Sequence, residues 1–211
     1  VQTCALPIST LAVSAAELCG FNEIMFDYVR FPQEAYAMSN DYETDFRNTY
    51  GEEKAEAIQR FLYYACDSLH EINVYVSASV YGEAVNKYIT AFGQYLPQFS
   101  LVVDAVCPIA YTDDYGRTED TWSDPYETIL SWAERAALRQ SEIPNPAVSR
   151  TFITAYDVPK WKPEVTCDST YVEAEIRALN DAGLTGNFIA YNEDSDLDKY
   201  TQIASVWSST Y

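Results

Sequence analysis

Short runs of apolar residues alternate with longer amphipathic segments along the whole chain. The apolar runs are short, nearly continuous, and followed in each case by polar residues. Runs of this kind are typical of strands that are buried on both faces of a parallel sheet. They predict five strands, over residues 23–26, 74–81, 101–109, 151–156 and 187–191.

The segments between these runs have helical periodicity. Residues 52–71 carry a one-sided apolar face and predict the clearest helix. Asp124, Pro125 and Glu127 form a typical helix start, and Asp168 caps a helix that stops at Gly183. Helices are predicted over residues 10–19, 52–71, 124–140, 168–182 and 196–208, with a weaker helical pattern over residues 84–99.

The regular alternation of strand and helix predicts an α/β fold. A doubly wound sheet is the alternative, although no glycine-rich phosphate loop follows any of the predicted strands. The chain has 211 residues, of which 48% are hydrophobic, and this suits a globular domain with a core. A complete β/α barrel usually needs about 250 residues, so the chain is short for that fold.

Charge restricts the class of partner. The formal net charge is −19, from 32 acidic and 13 basic side chains, and such a surface repels nucleic acid and anionic lipid. A neutral carbohydrate is compatible with it. No apolar run approaches the roughly 20 residues that a membrane span needs, and the sequence does not indicate an oligomeric state.

The first eight residues, VQTCALPI, are the translation of a common sequencing-adapter oligonucleotide. We therefore interpret residues 1–8 as a scar that is not native, and we assign the native domain to residues 9–211. This interpretation predicts that the gene was interrupted upstream. A signal peptide could then have been lost with the missing part.

Neither a metal nor a cofactor is predicted. Cys19, Cys66, Cys107 and Cys167 form no C-x-x-C motif and no pairing with His70, the single histidine, which argues against zinc and against a Cys-His catalytic pair. Cys19 and Cys107 lie in apolar contexts and are expected to be buried thiols. Residues 194–198 (DSDLD) start like a calcium loop, but Lys199 stands where glycine is needed, so helix capping is favoured.

Polar and aromatic residues follow every predicted strand. In a parallel barrel the carboxyl ends of the strands meet at one rim, where such enzymes build their active sites. Carboxylates there can exchange protons, and tyrosines can contact sugar rings. An acidic chain also has acids in most of its loops, so a structural role is an equal alternative for any one of them. The groups are Asp27, Tyr28 and Arg30; Tyr81 and Glu83; Tyr111, Asp113 and Asp114; Tyr156 and Asp157; and Tyr191, Asn192 and Glu193.

The segment FNEIMFDYVRFP resembles the signature G-F-D-E-I-x-F-D-Y-V-R-F-P of a glycoside hydrolase family that was once catalogued as a domain of unknown function. The resemblance continues through Gly93-Gln94 and then VDAVCPIAY, DPYETI, RTFITAY and GNFIAYN, in the family's order. It implies a TIM (β/α)8 barrel in which the signature strand is the fourth. The chain would then be the C-terminal part of the barrel, with its fourth to eighth strands, and we expect the first and last of these to have unpaired edges.

The resemblance also implies a function, namely hydrolysis of glycosidic bonds in a polysaccharide by a bacterial enzyme that is extracellular or on the cell surface. It places Asp27 at the catalytic rim as nucleophile or base. Arg30 would lower the pKa of Asp27 or, equally, form a structural ion pair. Substrate contacts are expected from Tyr28, Arg30, Tyr81, Tyr111, Asp113, Tyr156, Tyr191, Asn192 and Glu193.

The second carboxylate is open, because Ser79 stands where the family has an acid. Glu83 is the first candidate, and Asp157 and Glu193 are its competitors. The alternative function is a catalytically degenerate barrel that only binds glycans, and a barrel lyase or isomerase is a third possibility. The chain by itself is expected to be inactive, with the activity residing in its full-length parent.

Overall fold

One sheet organises the computed structural model, which describes residues 2–32, 51–192 and 196–209. Its strands are β1 (Glu23–Phe26), β2 (Tyr75–Tyr81), β3 (Ala105–Ile109), β4 (Val148–Ser149), β5 (Thr151–Thr154) and β6 (Phe188–Tyr191). They follow the order β1-β2-β3-β5-β6, with the two-residue β4 beside β3. The pairs β1/β2, β3/β5 and β5/β6 are all parallel, and this confirms the predicted α/β fold.

Helices connect the parallel strands. They are α1 (Gln2–Cys19), α2 (Lys54–His70), α3 (Leu96–Ser100), α4 (Thr112–Tyr115), α5 (Glu119–Trp122), α6 (Pro125–Ser141), α7 (Ser169–Asp181), α8 (Leu197–Gln202) and α9 (Ala204–Ser209), and a 3₁₀ turn spans Gly82–Val85. Strands β1 and β6 end the sheet, as expected for an incomplete barrel. In the described part of the chain, every helix is too short or too polar to cross a bilayer.

The chain divides into two compact units, of which unit 1 comprises Val1–Cys107 and Arg139–Val148. In unit 1, α2 packs against α1 and β2, and its inner face carries Leu62 and Leu69, both fully buried. Val76 and Val80 of β2 are buried on the strand side. The apolar periodicity of residues 52–71 therefore marks the contact face that the sequence predicts.

Unit 2 comprises Pro108–Leu138 and Ser149–Tyr211. Helix α7 packs against β5 and α9, and the unit buries Trp132, Ile153 and Leu179 almost completely. The fully buried strand residues explain why the run over residues 151–156 lacks polar alternation.

The predicted helix caps are confirmed. Tyr171 N donates to Asp168 Oδ1 at 3.0 Å, and Glu127 N donates to Asp124 Oδ1 at 3.1 Å. Asp196 caps α8 by accepting from Asp198 N at 2.8 Å, which bears out capping for this part of the DSDLD segment. Residues 194 and 195 lie outside the described residues. The helix α7 ends two residues before Gly183, whose φ of +86° favours glycine.

Several boundaries differ from the predictions. The apolar run at 101–109 becomes a strand only at Ala105, because residues 101–103 continue the turn that follows α3. Residues 84–99 form only the 3₁₀ turn and the short α3, and the closing helix breaks at Ile203. Helix α1 begins at Gln2 and so includes residues that we interpret as a scar. Three short elements, α4, α5 and β4, have no counterpart in the predictions.

The prediction that Cys19 is buried is wrong, because its side chain is exposed. Apolar neighbours in the sequence do not indicate burial here, because one face of α1 is apolar and yet exposed. Leu11 and Leu18 on this helix have relative exposures of 71% and 86%. Cys107 is buried, as predicted.

Candidate active site

Asp27 is the first residue after β1, and its carboxylate is held from two sides. β1 and β2 run parallel with Phe26 beside Ala78, so the next residues bring Asp27 next to Ser79. The Ser79 hydroxyl donates a hydrogen bond to Asp27 Oδ1, and the Tyr28 backbone N–H donates to the same oxygen at 2.8 Å. Among the described residues, none donates to Oδ2, and the side chain is exposed to solvent. Within the part of the chain that the structure describes, the carboxylate is therefore oriented through Oδ1 alone.

The backbone directly after Asp27 is strained. Tyr28 has φ of +54°, an unusual value for an aromatic residue, and its ring is 74% exposed. Such outliers persist where the surroundings impose them, and they cluster at functional sites. Here the conformation turns the Tyr28 N–H towards the Asp27 carboxylate.

Arg30 lies among aromatic rings. Its guanidinium carbon is 4.9 Å from the centroid of the Tyr28 ring, 4.7 Å from that of Tyr81 and 5.9 Å from that of Phe92. Rings at these distances attract a cation through their π faces. Within unit 1, no ion pair joins Arg30 to Asp27, so the structure shows a stacking role for Arg30. Tyr28, Arg30 and Tyr81, all predicted to contact substrate, are brought together.

Glu83 belongs to the same unit but lies apart from this contact group. It sits in the 3₁₀ turn after β2, is exposed, and accepts a hydrogen bond from the Tyr88 hydroxyl at 3.3 Å. It shares no hydrogen bond with Asp27. Its exposure leaves it available to solvent or substrate.

In unit 2, three predicted tyrosines form one aromatic group. The Tyr111 and Tyr191 rings are stacked with centroids 5.1 Å apart and an interplanar angle of 21°. Tyr156 meets Tyr111 edge-on at 5.8 Å and Tyr191 at 6.3 Å. Tyr111 and Tyr191 are partly exposed, whereas Tyr156 is buried.

Asp113 is a buried residue that binds one ring of this aromatic group. It is only 2% exposed, and its oxygens accept from the Tyr156 hydroxyl at 2.7 Å and from Lys160 N at 3.0 Å. Burial and this hydrogen bond raise the pKa of Tyr156, so the phenol stays protonated. With both oxygens engaged by the protein, Asp113 orients Tyr156.

Asp157, the third catalytic candidate, has two protein partners. Lys199 Nζ lies 2.6 Å from its Oδ1, and Cys167 N donates to the same oxygen at 2.9 Å. Asn192 is also engaged, since its Nδ2 donates to the backbone carbonyl of Asp196 at 2.8 Å. Glu193 lies outside the described residues.

Glu175, which the sequence analysis missed, is a fully buried acid on α7. Its Oε1 accepts from the Thr112 hydroxyl at 2.7 Å and from Thr154 N at 3.4 Å, while Oε2 has no hydrogen-bond partner among the described residues. Burial raises the pKa of Glu175 to about 8. An acid beside Val172, Ile176 and Leu179 on the apolar face of a predicted helix was the signal that could have found it.

A metal centre is not apparent. Within residues 2–32, 51–192 and 196–209, no three His, Cys, Asp or Glu side chains converge in a way that could hold an ion.

Sequence comparison relates most of the chain to a known family. Residues 8–196 match the family model described as "Putative glycosyl hydrolase domain". A comparison with curated proteins finds no match.

Solved structures share the fold at low sequence identity. The spore cortex-lytic enzyme SleL of Bacillus megaterium is similar with a TM-score of 0.65 and 12% identity, over 100% of this chain and 54% of that one. The glycoside hydrolase domain of PgaB (BpsB) from Bordetella bronchiseptica gives 0.58 and 14%, over 90% and 58%. A GH18 chitinase from Pseudoalteromonas aurantia gives 0.58 and 13%, over 99% and 70%. The chain thus spans little more than half the length of the first two structures, and the predicted incomplete TIM barrel is confirmed as the fold class.

Proposed function

Because this chain belongs to the family described as "Putative glycosyl hydrolase domain", we propose that it carries the catalytic aspartate of an enzyme that cleaves glycosidic bonds in a polysaccharide. The observation that supports this is Asp27 itself. Its side chain is exposed, and two donors from the neighbouring strand and turn bind one of its carboxylate oxygens. We propose that the full-length parent is a bacterial enzyme that acts outside the cell or at its surface.

Asp27 is the nucleophile or base of this proposal. A nucleophilic carboxylate must be fixed in direction, and the hydrogen bonds from Ser79 and from Tyr28 N fix the direction of Asp27. The other carboxylate oxygen then either attacks the anomeric carbon itself or takes a proton from a water molecule that attacks this carbon. In both routes the bond to the leaving-group oxygen breaks as the partner acid protonates that oxygen.

Glu83 is the partner acid in this proposal. It follows the neighbouring strand in the same unit and is exposed, so it can reach a leaving-group oxygen on a bound glycan. A carboxyl separation of about 5–5.5 Å gives retention of anomeric configuration, and one of about 6.5–9.5 Å gives inversion. The anomer released first, observed by proton NMR, distinguishes the two outcomes.

Each unit, taken by itself, carries exposed or partly exposed aromatic rings that can contact a sugar. The exposed Tyr28 ring, backed by Arg30, offers a flat face for a sugar, and in unit 2 the partly exposed Tyr111 and Tyr191 offer another. A neutral glycan also suits a chain of net charge −19. Since similar structures include a chitinase and a spore cortex-lytic enzyme, chitin oligosaccharides and spore cortex are the first substrates to assay.

The substitution Asp27→Asn in the full-length parent tests the proposal. An amide keeps the shape and the contact with Ser79 but cannot act as nucleophile or base, so kcat should fall by several orders of magnitude while glycan binding persists. Asp67→Asn, at an exposed position on α2 of the same unit, is the matched control and should leave kcat unchanged.

The rival function is a barrel that binds glycans without hydrolysing them. The observation that favours it is Ser79, a serine at the position where the resemblance described above implies an acid. In that case the wild-type parent would retain oligosaccharides intact, and Asp27→Asn would change neither binding nor product formation.

A further inference from the structure

The side-chain amide of Gln94 bridges the ends of β1 and β2. Gln94 is 1% exposed, and its Oε1 accepts from Tyr81 N at 2.9 Å. Its Nε2 donates to the Val29 carbonyl at 3.2 Å and lies 3.5 Å from the Ser79 carbonyl. A polar side chain this deeply buried must be paired, and here every partner is backbone.

These hydrogen bonds continue the pairing between the two chain segments beyond Phe26, where β1 ends. Tyr75 N donates to Asn22 O at 2.9 Å, so the odd-numbered residues of β2 direct their N–H groups towards β1. β1 ends at Phe26, and Tyr81 N would have no strand partner on that side. A primary amide has the same acceptor and donor as a peptide unit, so Gln94 takes the place of the missing β1 residue.

From this geometry we infer that Gln94 is a positioning residue for Asp27. The link from Nε2 to Val29 ties the strained segment at residues 27–30 to β2, and this holds Asp27 against Ser79 and keeps Arg30 beside Tyr81. A backbone bond from Phe31 N to Phe92 O at 2.9 Å secures the same segment from the other end. The inference rests on the proposed function, in which Asp27 is the reacting carboxylate.

The backbone of Gln94 is itself fixed by hydrogen bonds within the protein, without a substrate. Thr90 N donates to Gln94 O at 3.0 Å, and Gln94 N donates to Thr90 Oγ1 at 2.8 Å, which closes a tight turn. Gly93 makes this turn possible with φ of +87°, and a Cβ on Gly93 would lie 2.8 Å from Cβ of Lys54 on α2. The turn therefore packs directly on α2, and it holds the Gln94 side-chain amide between the ends of β1 and β2.

Two substitutions separate the contacts of Gln94. Gln94→Met keeps the length of the side chain and removes all of its side-chain hydrogen bonds. Gln94→Glu keeps an acceptor for Tyr81 N and, at a pH where the new carboxyl group is ionised, has no donor for Val29 O. The matched control is Gln59→Met, because Gln59 Nε2 donates to Gln98 O at 3.1 Å in the same unit, between α2 and α3.

Amide hydrogen exchange reads the position of Asp27 directly, because Tyr28 N is bound to the Asp27 carboxylate. In Gln94→Met, exchange at Tyr28 and Tyr81 should accelerate about tenfold, as expected for the loss of about one hydrogen bond. In Gln94→Glu, only Tyr28 should accelerate. Unfolding would expose both amides together in either variant, so this split is a signature of positioning. Unchanged Tyr28 exchange in folded Gln94→Met would overturn the inference.

Turnover in the full-length parent supplies the second readout. Gln94→Met should lower kcat more than it changes KM, and it should cause no further loss when added to Asp27→Asn, because it acts through that carboxylate. An equal loss of kcat in Gln59→Met, or a further loss in the double variant, would contradict the inference. Turnover that survives Asp27→Asn would instead refute the proposed function, and the exchange data would still decide whether Gln94 positions Asp27.

Discussion

The hydroxyl of Ser79 donates a hydrogen bond to the carboxylate of Asp27 across the first two strands of the sheet. Earlier in the same two strands, the Ser77 hydroxyl donates a hydrogen bond to Glu23 Oε1 at 2.7 Å. Two serines of β2 thus bind acids on the neighbouring chain segment: Ser77 binds Glu23 within β1, and Ser79 binds Asp27 directly after it. Only the second pair involves a residue that we propose to react.

The two serines allow a matched test of this relationship. In the full-length parent, Ser79→Ala should lower kcat by about 10- to 100-fold, since a hydrogen bond to a charged group contributes about 1.5–3 kcal/mol. Ser77→Ala removes an equivalent bond and should leave kcat within about twofold, although it can cost similar stability. Steady-state kinetics with thermal melting of both variants checks this. Equal effects on kcat would show that Ser79 has only a structural role.

Asp157 remains a predicted catalytic residue, and its ion pair with Lys199 suggests a direct test. The Lys199 side chain is only 11% exposed and the Asp157 side chain is 38% exposed. Asp157→Asn should therefore lower the free energy of unfolding by about 1–3 kcal/mol, because it leaves a nearly buried ammonium without its counter-charge. Lys199→Met should cost a similar amount, and the double variant should cost less than the sum.

Denaturant unfolding measures these three variants, and kcat of the parent decides the role of Asp157. If Asp157 is structural, kcat of the folded Asp157→Asn variant stays close to that of the wild type. A drop of several orders of magnitude with unchanged stability would instead make Asp157 the second carboxylate.

Gly93 and Gly183 provide a matched pair for the turn that carries Gln94. Both have positive φ, +87° and +86°, but a Cβ on Gly93 would meet Lys54, whereas a Cβ on Gly183 would meet nothing within 4 Å. Gly183→Ala should cost about 1 kcal/mol from backbone conformation alone. Gly93→Ala should cost a further 1–3 kcal/mol or so from overpacking against α2. Equal losses in melting experiments would show that the turn can move away from α2.

The sequence was sufficient for the elements that a single pattern determines. β1 begins and ends where its apolar run does, and Asp27 follows it as predicted, because a buried parallel strand is both continuous and short. Helix starts at Asp124 and Asp168 were equally clear, since a capping side chain acts on backbone within three residues. Local chemistry determines these features.

Other features depend on contacts between distant positions. Gln94 lies 65 residues from Val29, its bonding partner, and nothing near it in sequence marks it as buried. Arg30 was expected either to lower the pKa of Asp27 or to form a structural ion pair, but it is surrounded by rings that come partly from β2 and from the segment that follows β2. Periodicity specifies which face of an element is buried, and it does not specify which polar group on that face finds a partner.

The buried acid Glu175 should make stability depend on pH in a predictable direction. Burial raises the pKa of Glu175 from 4.5 to about 8, so the folded state holds a proton that the unfolded state has already released at neutral pH. The free energy of unfolding should therefore fall as pH rises from about 4.5 to about 8. The difference of about 3.5 pKa units corresponds to a loss on the order of 5 kcal/mol by pH 8.

Glu175→Gln should remove this dependence. The amide keeps an acceptor for the Thr112 hydroxyl, carries no titrating proton, and stays neutral at every pH. Subtracting the variant's unfolding free energy from that of the wild type, measured in urea between pH 5 and pH 9, should give a curve that falls up to about pH 8 and then levels off. Glu173→Gln, at an exposed position on the same helix, is the control and should give a flat difference. A flat curve for Glu175→Gln as well would mean that the carboxyl group is already ionised in the folded state, with a partner for Oε2 that compensates its charge.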